Sequence, residues 1–169
     1  NGLIANTQKE MDAYRLYNVV PHLLQFIEEL TNTYIRFNRG VFWEEGMPAK
    51  KVFAYETLHH VLVTLSKLMA PFAPFLSEVT YKNLSKVMPS LKESVHLEMF
   101  PEADLSLLRP DLEEAVKAMD VLVQLGRNHR EKIQVKAKIP LNQIRIIHRS
   151  SAVLETLKKF EPFFVDELN

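Results

Sequence analysis

Apolar residues recur at helical spacing along the first half of the chain. Asn18 is a candidate N-cap for the second apolar stripe, and Pro74 suits the first position of the fourth helix. The pattern predicts four long antiparallel helices with short connections, including a loop from Gly40 to Pro48. The predicted helices cover about residues 3–13, 18–39, 48–69 and 74–88.

The second half of the chain has a different pattern. Between Pro89 and Pro110 there is one alternation of apolar and polar residues, at 95–99, which is compatible with an extended segment. A fifth helix is predicted over about 111–130. The period then changes to two, which predicts strands, before a helix at 151–160 and a short one at 162–168. The alternating apolar residues are Ile133, Val135, Ala137, Ile139, Ile144 and Ile146.

These elements predict a mainly α fold, an antiparallel helical bundle followed by a small mixed α/β appendage. We expect three parts: a helical-bundle core at 1–93, an extended connection with the fifth helix at 94–131, and a truncated strand and helix appendage at 132–169. Because the first helix has no cap and the chain stops without a tail, we expect a piece of a longer polypeptide.

Composition excludes several classes of protein. With no cysteine, disulfide frameworks and thiolate metal sites are excluded, which favours a cytoplasmic location. The four glycines do not form a glycine-rich phosphate-binding motif. The longest apolar runs are shorter than the ~18 residues that span a bilayer, so no membrane partner is expected.

Charge is unevenly distributed, although 21 basic and 21 acidic side chains give a formal net charge of zero. Residues 127–149 hold seven basic side chains against Glu131 alone, whereas residues 98–120 hold seven acidic side chains against two basic ones. The basic window is either a solvated face or a surface that faces phosphates. Its basic members are Arg127, Arg130, Lys132, Lys136, Lys138, Arg145 and Arg149.

The sequence contains no recognised catalytic or metal-binding motif. His59 and His60 are adjacent, so on a helix they point about 100° apart and do not chelate one metal together. The carboxylate doublets, such as Glu113 and Glu114, are typical of a solvated helix surface. We therefore predict no catalytic residue and no metal site in this chain.

The segment 32–43 combines amides, guanidinium groups and aromatic rings. Arg36 and Arg39 are three residues apart, on one face of a helix, and Trp43 follows in the predicted loop. Such side chains suit splayed RNA bases, which need surfaces for stacking and donors for their edges. Tyr34 and Phe37 are interpreted as core residues, whereas for Trp43 core packing and base stacking both remain open.

Several segments together resemble the anticodon-binding domain of isoleucyl-tRNA synthetases. The resemblance covers nearly the whole chain, in order and spacing; valyl-tRNA synthetases are the nearest alternative. One departure is Thr33, where that family commonly has Trp. The matching segments are 32–39, 42–43, 68–78, 94–101, 125–130 and 136–141.

The resemblance implies a class I enzyme that attaches isoleucine to tRNA(Ile) with ATP and Mg, through catalytic and editing domains outside this cofactor-free segment. It implies anticodon contact by Arg36, Arg39, Phe42 and Trp43. It also implies that the basic region 125–141 lies near the RNA backbone, whereas the assignment of individual basic residues there is our own inference. The backbone-contacting candidates are Arg127, Arg130, Lys132, Lys136 and Lys138. The alternative is a helical protein-interaction module, which docks in a multi-synthetase assembly or on its own catalytic domain.

Overall fold

The computed structural model describes residues 1–136 and 138–168. The described chain is mainly helical, as predicted, and divides into two compact units, Asn1–Leu108 and Arg109–Asn169. The bundle arrangement and the three-part division stay predictions. The α-helices of the first unit are α1 (Gly2–Asp12), α2 (Leu16–Glu29), α3 (Arg39–Trp43), α4 (Ala49–Met69) and α5 (Pro74–Ser85). Those of the second unit are α6 (Pro110–Lys132), α7 (Ser151–Lys158) and α8 (Glu161–Leu168).

The core of the first unit lies between α1, α2, α4 and α5. α1 packs on α2, and α4 packs on both α3 and α5. Val19 and Leu23 are both buried because their four-residue spacing puts them on one face of α2. One buried cluster consists of Ile4, Val19, Leu23, Leu65 and Leu68, and another of Val63, Ala70, Tyr81 and Val95.

The start of α2 differs from the prediction, because α2 begins at Leu16 and Asn18 is not its N-cap. Asn18 Nδ2 instead donates to the Glu10 carboxylate at 2.8 Å. The same carboxylate accepts two hydrogen bonds from the Arg15 guanidinium, each 2.8 Å long. Asn18 therefore contributes to the turn that joins α1 to α2 rather than to a helix terminus.

The end of this helix also differs from the prediction. After Glu29 the chain continues as a π-helical turn, Leu30–Ile35, and helical conformation ends at Phe37. Asn38 interrupts it, and its Nδ2 donates to Tyr34 O at 2.8 Å. α3 then occupies part of the predicted loop from Gly40 to Pro48, so only Glu44 to Pro48 of that loop is non-helical.

The expected extended segment at 95–99 is instead a short 3₁₀ turn, Val95–Leu97. Two α5 side chains and one from α4 bind this segment. Glu78 accepts hydrogen bonds from Ser94 Oγ at 2.9 Å and Val95 N at 3.0 Å. Glu98 accepts from Tyr81 Oη and, at 3.0 Å, from Lys67 Nζ. These hydrogen bonds, rather than a strand partner, attach the segment to α4 and α5.

In the second unit, α6 packs against α7 and α8. Gly126 leaves room for the Leu168 side chain where α6 meets α8, because a Cβ atom there would lie 2.7 Å from Leu168 Cδ1, which would have to move. Among the residues whose burial is described, the buried apolar residues of this unit are Ala115, Met119, Val123, Leu157, Phe164 and Leu168.

The predicted strands between Ile133 and Ile146 are wrong for the described residues, which form turns and irregular structure. Ala137, one of the alternating residues, lies outside the described residues. The backbone carbonyls of Lys136 and Ile139 accept hydrogen bonds from the Arg130 side chain, rather than from a neighbouring strand. The mixed α/β character of this part is therefore not confirmed.

Among the residues that the structure describes, no helix has both the length and the apolar character needed to cross a membrane.

Candidate nucleic-acid interface

The side chains of α3 differ in their exposure to solvent. Arg39 is exposed and Trp43 is 80% exposed. Phe42 is buried, with its ring edge-on to Tyr55 at a centroid distance of 5.1 Å and to Tyr34 at 6.3 Å. Arg39 and Trp43 are thus available to a ligand in solution, whereas Phe42 lies in the packing beneath α3.

Arg36 precedes the interruption at Asn38 and is half-buried. Its Cζ atom lies 5.6 Å from the centroid of the Phe37 ring, within cation–π distance. The three-residue spacing predicted that Arg36 and Arg39 share one helix. In the structure, the interruption at Asn38 separates them. Tyr34 and Phe37, interpreted as core residues, are half-buried.

Arg130, predicted as a phosphate contact, is only 5% exposed. Its Nη1 donates to Leu168 O at 2.8 Å, and its Nη2 donates to Lys136 O at 2.6 Å and to Ile139 O. The guanidinium thus binds carbonyls of its own unit on the segment that follows α6 and at the end of α8. In this conformation its role is to organise that segment rather than to face solvent.

The other basic candidates of this unit differ in exposure. Arg127 is half-buried and forms an ion pair with Glu167 on α8. Lys132, Lys136 and Lys138 are exposed. The three lysines are therefore the exposed members of this candidate set, whereas Arg127 is exposed only in part.

The largest pKa shifts belong to packing contacts. The hydrogen bond from Tyr81, followed by that from Lys67, lowers the pKa of Glu98 to about 2. Burial, and then the same contact with Glu98, raises the pKa of Tyr81 to about 12. Neither group is poised to exchange protons near neutral pH. Within the described residues, no three His, Asp or Glu side chains are grouped as metal ligands.

Sequence reasoning missed two features of these sites. The contact between Tyr55 and Phe42 joins residues 13 apart, and no periodic signal marks it. The burial of Arg130 did have a signal, because Met119, Val123, Gly126 and Arg130 follow one helical stripe whose other side chains are apolar. The stripe itself thus indicates a buried position for Arg130, despite the charge of its side chain.

The chain also matches proteins of known families. Residues 1–146 match the model of the anticodon-binding domain of tRNA ligase. The chain therefore belongs to this family of RNA-binding domains.

Its relatives narrow this class to one kind of ligase. The isoleucine–tRNA ligase of Bdellovibrio bacteriovorus is 81% identical over 169 residues, which are 100% of this chain and 16% of that protein. The probable cytoplasmic isoleucine–tRNA ligase of Dictyostelium discoideum is 39% identical, over 99% of this chain and 16% of that protein. The cytoplasmic isoleucine–tRNA ligase of Caenorhabditis elegans is 40% identical, over 100% of this chain and 15% of that protein. The chain thus spans about one sixth of the length of these curated relatives.

Proposed function

We propose that this chain recognises the anticodon stem-loop of tRNA(Ile) as part of an isoleucine–tRNA ligase. The observation that carries the proposal is the exposure of Trp43 and Arg39 on α3. An exposed indole offers a stacking surface to an unstacked base, and a nearby guanidinium offers donors to base edges. The match to anticodon-binding domains and the isoleucine-specific relatives support tRNA(Ile) over the valine system.

The second unit supplies a separate contribution in this proposal. Lys132, Lys136 and Lys138 bind phosphates of the RNA backbone, which adds affinity with no dependence on base sequence. Arg127 joins them through the exposed part of its side chain, beside its ion pair with Glu167. Arg130 holds the Lys136 and Ile139 carbonyls and so shapes the segment between them.

The activity of the whole enzyme lies outside this segment. The ligase consumes ATP, with Mg, on catalytic and editing domains of the same polypeptide and works in the cytoplasm, whereas the present chain binds RNA without catalysing a reaction. The helices of the first unit form an antiparallel bundle, and the chain is organised as the parts 1–93, 94–131 and 132–169. The rigid helices hold the anticodon at a defined distance from the reacting end of the tRNA.

The proposal is tested by titrating an isoleucine anticodon stem-loop into the chain while Trp43 fluorescence is recorded. Trp43 is the single tryptophan, so a change in its emission reports events at α3. We expect saturable binding that changes the Trp43 emission and weakens as salt is added. No binding at low ionic strength, or binding equally tight for a stem-loop with another anticodon, would contradict the proposal.

A second candidate function is a protein-interaction module, either in a multi-synthetase assembly or against other domains of the same enzyme. It is favoured by exposed apolar side chains near the start of α5, where Phe75 is 87% exposed and Leu76 and Val79 are also in solvent. Exposed apolar patches mark interaction sites. Retention of a protein partner by this chain, but not by a Phe75→Ser variant, in the absence of RNA affinity would favour this alternative.

A further inference from the structure

Three elements of the first unit meet at the ring of Phe42. Phe42 comes from α3, Tyr34 from the π-helical turn and Tyr55 from α4. The Phe42 ring makes an angle of 68° with that of Tyr34 and of 65° with that of Tyr55, both edge-to-face arrangements. We refer to Tyr34, Phe42 and Tyr55 as the aromatic clamp.

Hydrogen bonds reinforce the aromatic clamp. The Tyr34 hydroxyl donates to the backbone carbonyl of Ala54 on α4 at 3.2 Å. At the start of α3, Asn38 Nδ2 donates to Tyr34 O at 2.8 Å. The π-helical turn is thereby tied both to α4 and to the beginning of α3.

α3 depends on such contacts for its orientation. It has only five residues, and isolated helices shorter than about 12 residues are not stable in water. Phe42 is its one buried residue. The direction in which Arg39 and Trp43 project is therefore set by the aromatic clamp rather than by the local helical preference of α3.

We propose that Tyr34 and Tyr55 are positioning residues for RNA recognition. By holding Phe42 they fix α3 before RNA arrives, so that Arg39 and Trp43 meet the anticodon in one geometry. Such preorganisation favours an RNA loop whose bases fit that geometry over one whose bases do not. This inference rests on the proposed function, since it concerns the same surface.

Tyr55 offers the sharpest test because it is 45% exposed, so removing its ring leaves the interior of the unit intact. Tyr55→Leu removes the edge-to-face contact with Phe42. Tyr55→Phe keeps the ring and removes only the hydroxyl, which is 3.5 Å from Phe42 O. Phe53→Leu is the matched control, because Phe53 is an exposed aromatic residue on α4 outside the clamp. Circular dichroism verifies that each variant is folded.

The first measurement is time-resolved fluorescence anisotropy of Trp43 without RNA. We expect a larger fast local rotation of Trp43 in Tyr55→Leu, and unchanged anisotropy decay in Tyr55→Phe and Phe53→Leu. The second measurement is the ratio of affinities for the isoleucine anticodon stem-loop and for the same stem-loop with another anticodon. We expect this ratio to fall roughly 2- to 10-fold in Tyr55→Leu only.

The two measurements separate failure of the inference from failure of the proposed function. Unchanged Trp43 mobility in Tyr55→Leu would overturn the inference, whatever the RNA affinities are. Greater mobility with an unchanged affinity ratio would overturn the positioning role in recognition. Absence of RNA binding by the unsubstituted chain would overturn the proposed function, while the mobility of Trp43 would still decide whether the clamp fixes α3.

Discussion

A buried guanidinium is stable where carbonyl oxygens replace the water that it loses. Arg130 donates to carbonyls of Leu168, Lys136 and Ile139, residues that lie 38, 6 and 9 positions away in the chain. The planar fork of an arginine reaches several acceptors at once, whereas the ammonium of a lysine is a compact charge. One side chain thus connects α6 to α8 and to the irregular segment after α6.

Arg130→Lys is accordingly expected to destabilise the second unit by about 2–4 kcal/mol, because buried carbonyls lose their donors. Urea unfolding followed by circular dichroism measures this change. Arg109→Lys is the control, since the Arg109 side chain forms an exposed ion pair with Asp111 and its replacement should change stability by less than about 0.5 kcal/mol. Equal effects of the two substitutions would show that Arg130 does not stabilise the unit.

Glu98 makes stability depend on pH. Its pKa is lowered from 4.5 to about 2 in the folded chain, chiefly by the hydrogen bonds from Tyr81 and Lys67. A lowered folded-state pKa contributes stability that is fully present above pH 4.5 and is lost as pH falls toward 2.

Glu98→Gln should therefore cost about 1–3 kcal/mol at neutral pH and flatten the pH dependence of unfolding between pH 4.5 and 2. The measurement is a series of urea titrations across this range. Glu93→Gln is the control, because Glu93 lies five residues before Glu98 and its side chain is exposed. An unchanged slope in Glu98→Gln would contradict the assignment of this pH dependence to Glu98.

At the scale of elements, sequence reasoning succeeded where apolar spacing and prolines agree. α5 begins at Pro74, as predicted, because proline lacks the N–H that a first-turn residue leaves unpaired. α3 was missed because its five residues are too few for a period, and Phe42 packs against Tyr55 of another helix. For the same reason the exposure of Trp43 could not be derived from spacing.

The predicted strands of the second unit failed for a different reason. Ile133 to Ile146 have the period of a strand, but Arg130 binds carbonyls that a strand partner would need.

The contact between α6 and α8 can be tested at Gly126. Gly126→Ala should destabilise the second unit by about 0.5–2 kcal/mol, because a Cβ 2.7 Å from Leu168 Cδ1 overpacks the contact by more than the roughly 1 kcal/mol that alanine gains over glycine inside a helix. Gly40→Ala is the matched control within α3, where a Cβ meets no atom within 4 Å, and should raise stability by about 0.4–1 kcal/mol. Thermal unfolding compares them. A stabilising Gly126→Ala would show that Leu168 moves away at no cost.

At the scale of the whole molecule, the local density of charge matters more than its total. The formal net charge is zero, yet residues 127–149 carry seven basic side chains and one acidic one. Charges more than about 8 Å apart in solvent are screened at physiological ionic strength, so a phosphate group senses nearby lysines rather than the sum over the chain. A neutral protein can therefore bind RNA with an affinity that depends strongly on salt.

The lysines of the basic window are therefore expected to determine the salt dependence. Changing Lys132, Lys136 and Lys138 to Gln should reduce the slope of log K against log salt by up to about 2, since each phosphate contact on a single strand contributes about 0.7. Changing Lys9, Lys117 and Lys159 to Gln removes the same charge from exposed positions outside the basic window and should leave the slope nearly unchanged. Stem-loop titrations at several salt concentrations measure both slopes. If the two triple variants lose slope equally, RNA responds to the net charge of the chain, and the three lysines have no specific role in binding the backbone.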